Sequence, residues 1–292
     1  MANCIRAISE DGGFLFCGVD ATEMVREMER IHKTSAVTSA ALGRLLIAAG
    51  IMGVMLKSER NSVTLRVNGG GPAGTVLAVA NGKGEVKGYI THPIVELPAR
   101  ADGKLNVGAA VGCDGTLSVA KDLGMKEPYV GQVPLISGEI AEDVTSYYAA
   151  SEQTPTVCGL GVLVNTDLSI LSAGGYLLQA MPGTSEEDIA RLEQNVAQMQ
   201  SVTQMLQDKK TPRDMMEIAL AGFSPQILNE QMICYHCDCS RSRVEKMMIS
   251  LGKKELERLL TEENTAEAVC HFCDKKYTID LQSILNGMQT KK

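Results

Sequence analysis

The residues with the clearest chemical potential are thiols. Five of the nine cysteines, Cys234, Cys237, Cys239, Cys270 and Cys273, crowd beyond residue 233, while Cys4, Cys17, Cys113 and Cys158 are scattered. Four of the five form two close pairs, Cys237-x-Cys239 and Cys270-x-x-Cys273, with 30 residues between the pairs. Four thiolates in two such pairs suit one tetrahedral Zn²⁺, which favours soft sulfur in a closed site. A closed Cys4 site leaves no open position for a substrate, so a hydrolase with a catalytic zinc is disfavoured. His236, His271 and Cys234 stand beside the four thiols as rival ligands, and a Cys3His site is the alternative. His271 also suits a supporting role behind a ligand. No serine, histidine and acid constellation stands out, and His32 and His92 lack a motif context.

These thiols need elements to hold them. Between the pairs, Arg241 to Leu260 reads as a helical stretch with Val244, Met247, Met248 and Leu251 on one side. After the second pair, Tyr277 to Leu285 reads as a strand and a short helix. Residues 233–292 offer too small a core to fold readily unaided. A bound zinc contributes about 10–16 kcal/mol in apparent terms, enough to carry the folding of such a tail.

Upstream, Thr184 followed by Glu187 marks a helix start. Ile189, Leu192, Val196, Met199 and Leu206 then fall on one helical stripe, with polar Thr203 on the same seam. Gln194, Gln198 and Gln204 enrich the other side, so this helix should be weakly held. A second short helix starts at Thr211-Pro212 and ends near Gly222 and Pro225. Residues 184–232 therefore read as a helical linker.

Residues 1–183 read as one α+β domain with an antiparallel sheet. Cys4 to Val19 is a hairpin turned at Gly12-Gly13, and Thr22 to Lys57 is helical, with Ala36 to Leu56 apolar enough to be buried. Strands follow at 63–68, 75–80, 83–90, 116–121, 130–134, 157–164 and 170–179, with a helix at 140–151. The glycine-rich loop Gly69 to Gly74 joins strand to strand and lacks a Gly-Lys-Ser/Thr ending, so it reads as a tight turn and not as a phosphate cradle.

Composition narrows the function. Of 292 residues, 45% are hydrophobic and 22% charged, the net charge is −7 and the pI about 5.3. A bulk basic surface for nucleic acid is not expected. No stretch offers about 18 uninterrupted apolar residues for a membrane span. The first residues lack the layout of a secretory signal, so a cytoplasmic location is expected, where a crowd of cysteines reads as metal or redox chemistry. Two rival functions remain, a zinc-ribbon nucleic-acid binder and a thiol-disulfide oxidoreductase. The tail is nearly balanced in charge, against the first, and no βαβ pattern precedes Cys270-x-x-Cys273, against the second.

The sequence resembles a known family, the redox-regulated heat-shock holdases called 33 kDa chaperonins. The resemblance spans nearly the whole chain. It rests on Cys237-Asp-Cys239-Ser240-Arg241, Cys270-His-Phe-Cys273 and Leu251-Gly252-Lys253-Lys254-Glu255-Leu256. It also rests on Gly71-Pro72-Ala73-Gly74, Gly88-Tyr89, the run from Tyr147 to Thr156 and the run from Gly174 to Gly183. Cys234 is extra to the family's four thiols, and Ser242 stands where an acidic residue is usual.

The resemblance implies no enzyme. It implies a client-binding α+β core (1–183), a metastable helical linker (184–232) and a zinc-binding redox-switch domain (233–292). The reduced form would be an inactive monomer holding one Zn²⁺ on Cys237, Cys239, Cys270 and Cys273. Oxidants would form disulfides, expected as Cys237–Cys239 and Cys270–Cys273, release the zinc and unfold tail and linker. The exposed surface, with Ile189, Leu192, Val196, Met199 and Leu206 as expected client contacts, would hold unfolding proteins without ATP. The oxidised form would tend to dimerise.

Overall fold

The alternation near the N-terminus becomes a hairpin of β1 (Ala2–Ile8) and β2 (Phe14–Asp20), turned where Gly12 takes a φ of +75°. It is part of a computed structural model that describes residues 2–262 and 264–289. Helices α1 (Thr22–His32) and α2 (Ala36–Val54) follow, then β3 (Ser62–Asn68), β4 (Val76–Asn81) and β5 (Glu85–Ile90). Next come α3 (Val107–Val111), β6 (Thr116–Asp122), β7 (Tyr129–Pro134) and α4 (Ala141–Tyr147), which runs on as a π-helical turn to Glu152. Strands β8 (Thr156–Val164) and β9 (Ile170–Ala180) precede α5 (Glu186–Ala197), α6 (Val202–Gln207), α7 (Pro212–Ala219) and β10 (Gln226–Tyr235). The remainder is α8 (Arg241–Ser250), α9 (Lys253–Glu262), β11 (Thr265–Val269), β12 (Lys276–Asp280) and α10 (Leu281–Gln289).

The chain divides into two units, Met1–His236 and Cys237–Lys292. The fold is mixed α+β, with a cysteine cluster in the second unit. In the first unit ten strands form one sheet in the order β7-β6-β3-β4-β5-β10-β1-β2-β9-β8. Every pairing is antiparallel except β10 with β5, which joins Cys234 to Glu85 and Tyr235 to Val86.

Strands from both halves of this sheet pack on α2. By length and composition α2 could cross a membrane, with a mean hydropathy of 1.7, but 94% of that window is buried inside the protein. It is apolar all round because it is surrounded. Gly53 lets it approach β4, since a Cβ there would lie 2.8 Å from Ala80 Cβ and 2.9 Å from the Asn81 carbonyl.

Strands β1, β2 and β9 bury both faces. Cys4, Cys17, Val19 and Leu177 point to the core around α2, while Ile5, Phe14, Phe16, Tyr176 and Leu178 point to a second cluster. That second cluster is completed by Leu192, Val202, Met205, Met215, Met216 and Phe223 from α5, α6, α7 and the loop beyond. The linker helices thus cover an apolar sheet face.

Several expectations change. The continuous stripe from Ile189 to Leu206 is broken, because α5 ends at Ala197 and the Ser201 hydroxyl starts α6 by accepting from Gln204 N–H. The cap of α5 is Ser185, which accepts from Asp188 N–H, while Thr184 donates to the Gly13 and Met181 carbonyls. The helix expected over 241–260 is two helices, interrupted at Gly252 with a φ of +87°. Of its expected inner side, Met248 is buried and Val244 half-buried, but Met247 and Leu251 are exposed. Strand β10 spans residues that the sequence divides between linker end and tail start, and neither it nor β11 is expected from the sequence.

Candidate metal centre

The first thiol pair lies in the short connection before α8. Ser240 caps that helix by accepting from Arg243 N–H, and Arg243 pairs with Asp238 between the two cysteines. The cap and ion pair thereby fix the backbone that carries Cys237 and Cys239. The second pair sits at the turn of the β11–β12 hairpin, whose last register pair is Val269 with Lys276. Cys270 N–H donates to the Lys275 carbonyl at 3.0 Å, and its own carbonyl accepts from Asp274 N–H at 2.8 Å and Cys273 N–H at 3.3 Å. Asp274 takes a φ of 55°, a left-handed conformation that Asp tolerates, and so closes the turn. These bonds aim both sulfurs to one side.

All four sulfurs lie within 4.8 Å of one another. Cys237 to Cys270 is 3.7 Å and Cys239 to Cys273 is 3.3 Å. A tetrahedron with Zn–S bonds of about 2.3 Å has edges of ~3.8 Å, so the cluster fits one such ion. Among the described residues Cys237, Cys239, Cys270 and Cys273 form the one group able to hold a metal, and His236, His271 and Cys234 are outside it. Cys234 is built into β10, where its N–H donates to the Gly84 carbonyl at 2.9 Å.

The thiols are not equivalent. Burial pushes the Cys237 thiol far up and the Cys273 thiol up to about 11. Burial also opposes ionisation of Cys239, but hydrogen bonds with the Tyr277 hydroxyl and the neighbouring thiols outweigh it and hold this thiol below its usual range. The Tyr277 hydroxyl, on β12, lies 3.0 Å from Cys239 Sγ and is itself pushed up to about 12 by that contact. The sequence marks Tyr277 only as a strand residue; its inward alternation with Ile279 is the available sign.

Around the cluster is a small core of Met248, Leu256, Tyr277, Ile279, Leu281, Ile284 and Leu285, with Cys239 and Cys270 packed on its edge. The expected client contacts are elsewhere, on the first unit. Leu192 is buried there, and Ile189, Val196, Met199 and Leu206 are partly buried against the sheet.

Comparison with known proteins fits this arrangement. The family model described as Hsp33 protein matches residues 3–280. The chain belongs to the Hsp33 family. It is 46% identical over 281 residues to the 33 kDa chaperonin of Clostridioides difficile, covering 96% of each chain. With the 33 kDa chaperonin of Bacillus subtilis it shares 44% over 273 residues, covering 94% of this chain and 93% of that one. The crystal structure of the 33 kDa chaperonin from Thermotoga maritima superposes with a TM-score of 0.91 at 33% identity, over 99% of both chains. Membership of the Hsp33 family supports a chaperone role that involves unfolded client proteins.

Proposed function

We propose that this chain is a cytoplasmic, ATP-independent holdase that is silent when reduced and zinc-bound and active when oxidised. The observation that carries the reading is the convergence of four thiols in a unit with little core of its own. Zinc is the metal that four sulfurs in a closed tetrahedron favour. The Cys270 turn and the α8 cap would hold it, and its role is to tie the second unit together.

Oxidation of the thiols removes the ligands. Two thiols and one hydrogen peroxide give one disulfide and two waters, with the O–O bond taking the two electrons. A disulfide between cysteines so close in sequence restrains little chain, so it stabilises the fold far less than the metal does. The second unit then cannot offset its chain entropy. Unfolding of the second unit would be accompanied by release of α5, α6 and α7, and with them the stripe Ile189, Leu192, Val196, Met199 and Leu206. Methionine and aliphatic side chains adapt to many apolar client segments. The same exposed surface favours a homodimer. Nucleic acid and membrane are not proposed partners, and no catalytic step is assigned.

Light scattering of a heat-denatured enzyme tests the proposal. Oxidised protein should suppress aggregation and the reduced zinc form should do so poorly, with ATP making no difference. Equal protection by both forms would overturn the switch.

A further inference from the structure

We infer that the Tyr277 hydroxyl is a positioning group for the metal centre, donating a hydrogen bond to Cys239 Sγ and thereby setting both metal retention and resistance to oxidants. The inference rests on the proposed zinc reading of the cluster.

The 3.0 Å contact allows either atom to donate when Cys239 is a thiol. A ligating thiolate has no proton, so the phenol must be the donor in the metal-bound form. Four thiolates around one divalent ion leave two net negative charges at the site. A donor aimed at one sulfur disperses part of that charge, and groups behind a ligand commonly tune affinity in this way. The same bond draws electron density from the sulfur and makes it a poorer nucleophile toward peroxide.

The side chain is held for this task. Tyr277 is 8% exposed, packed with Ile279 and Leu281, and pinned opposite Ala268 in the hairpin. Lys275 Nζ lies 5.6 Å from its ring centroid, within reach of a cation–π contact that helps to hold the ring in place. The hairpin that presents Cys270 and Cys273 thus reaches from its second strand to a thiol of the other pair.

Tyr277→Phe keeps the ring and removes the donor. Reduced wild type and variant are titrated against a chromophoric chelator, treated with hydrogen peroxide while free thiols are counted, and loaded with Co²⁺ for absorption spectra. The expected result is metal binding weaker by about 10–100-fold, faster thiol loss to peroxide, and a shifted sulfur-to-cobalt charge-transfer band. The band reports electron density on sulfur and would not move for a purely packing role. Wild type that binds zinc, with a variant matching it in affinity, peroxide rate and band position, overturns this inference alone. Wild type that binds no zinc overturns the proposed function and this inference together. Weaker binding with an unmoved band also overturns it, because Tyr277 would then act by packing.

Discussion

Glu152 shows how single side chains set the stability of the first unit. It accepts from Lys121 Nζ at 2.7 Å and from the Tyr147 hydroxyl, with Lys121 and Glu152 mostly buried. Burial opposes its charge, but these two bonds prevail and hold the carboxyl below its usual value of 4.5. A depressed carboxylate stabilises the fold above the unfolded pKa and stops doing so as pH falls through the folded one. Glu152→Gln should therefore cost about 2 kcal/mol near neutrality, and urea unfolding should show a flatter acid-side slope than wild type below pH 4.5. A second expectation at this scale concerns the thiols. In a tetrahedron each sulfur neighbours the other three, so the intervening chain selects the partner after oxidation. Peptide mapping should find Cys237–Cys239 and Cys270–Cys273; mainly Cys239–Cys270 or Cys234–Cys237 links would refute this. The four thiols were legible because ligand spacing is local. The Tyr277 contact was not, since it depends on a hairpin register that brings residues 38 apart together.

Among the elements, α5 is the sensitive one. Leu192 is its single fully buried side chain, set in the cluster above β1, β2 and β9. Leu192→Ala should cost this region about 2–5 kcal/mol, less where neighbours collapse into the gap. Hydrogen exchange should quicken across 186–219 while β3, β4 and β6 remain protected, and the reduced variant should already retain some client. Uniform exchange across the sheet, or none gained in α5, would contradict a locally weak linker. The starts of α5 and α7 were readable from capping residues, although the first cap lies one residue later than the capping signal suggests. Strand β10 was not readable: most of Gln226–Tyr235 is exposed or half-buried, so its strand form comes from partners β1 and β5 and not from a clear period of its own. The interruption at Gly252 hid within an otherwise helical composition, since one glycine is tolerated in many helices.

The whole chain combines a large core with a small one. Removing the metal from reduced protein with a chelator should abolish the unfolding transition of Cys237–Lys292 while the sheet unit retains its own. Circular dichroism with near-ultraviolet signals from Tyr277 against the tyrosines of the first unit would separate them. One transition unchanged by chelation would mean that the second unit folds without metal. The α+β class and the cysteine-rich end were legible because burial periodicity and thiol spacing both survive without knowledge of the fold. The division between units falls at His236, after a strand that the sequence splits between linker end and tail start.

The strand order has a topological corollary. If strands are points and ladders are links, β10 is a cut point: β5 and β1 are joined through it and not to each other. Its link to β5 is only two residue pairs long and is reinforced by Cys234 N–H to Gly84 and His236 N–H to Val86. Erasing that point leaves a five-strand fragment and a four-strand fragment, each with a bare rim of peptide groups. The continuity of the largest sheet in the molecule is therefore decided at the few residues immediately before Cys237.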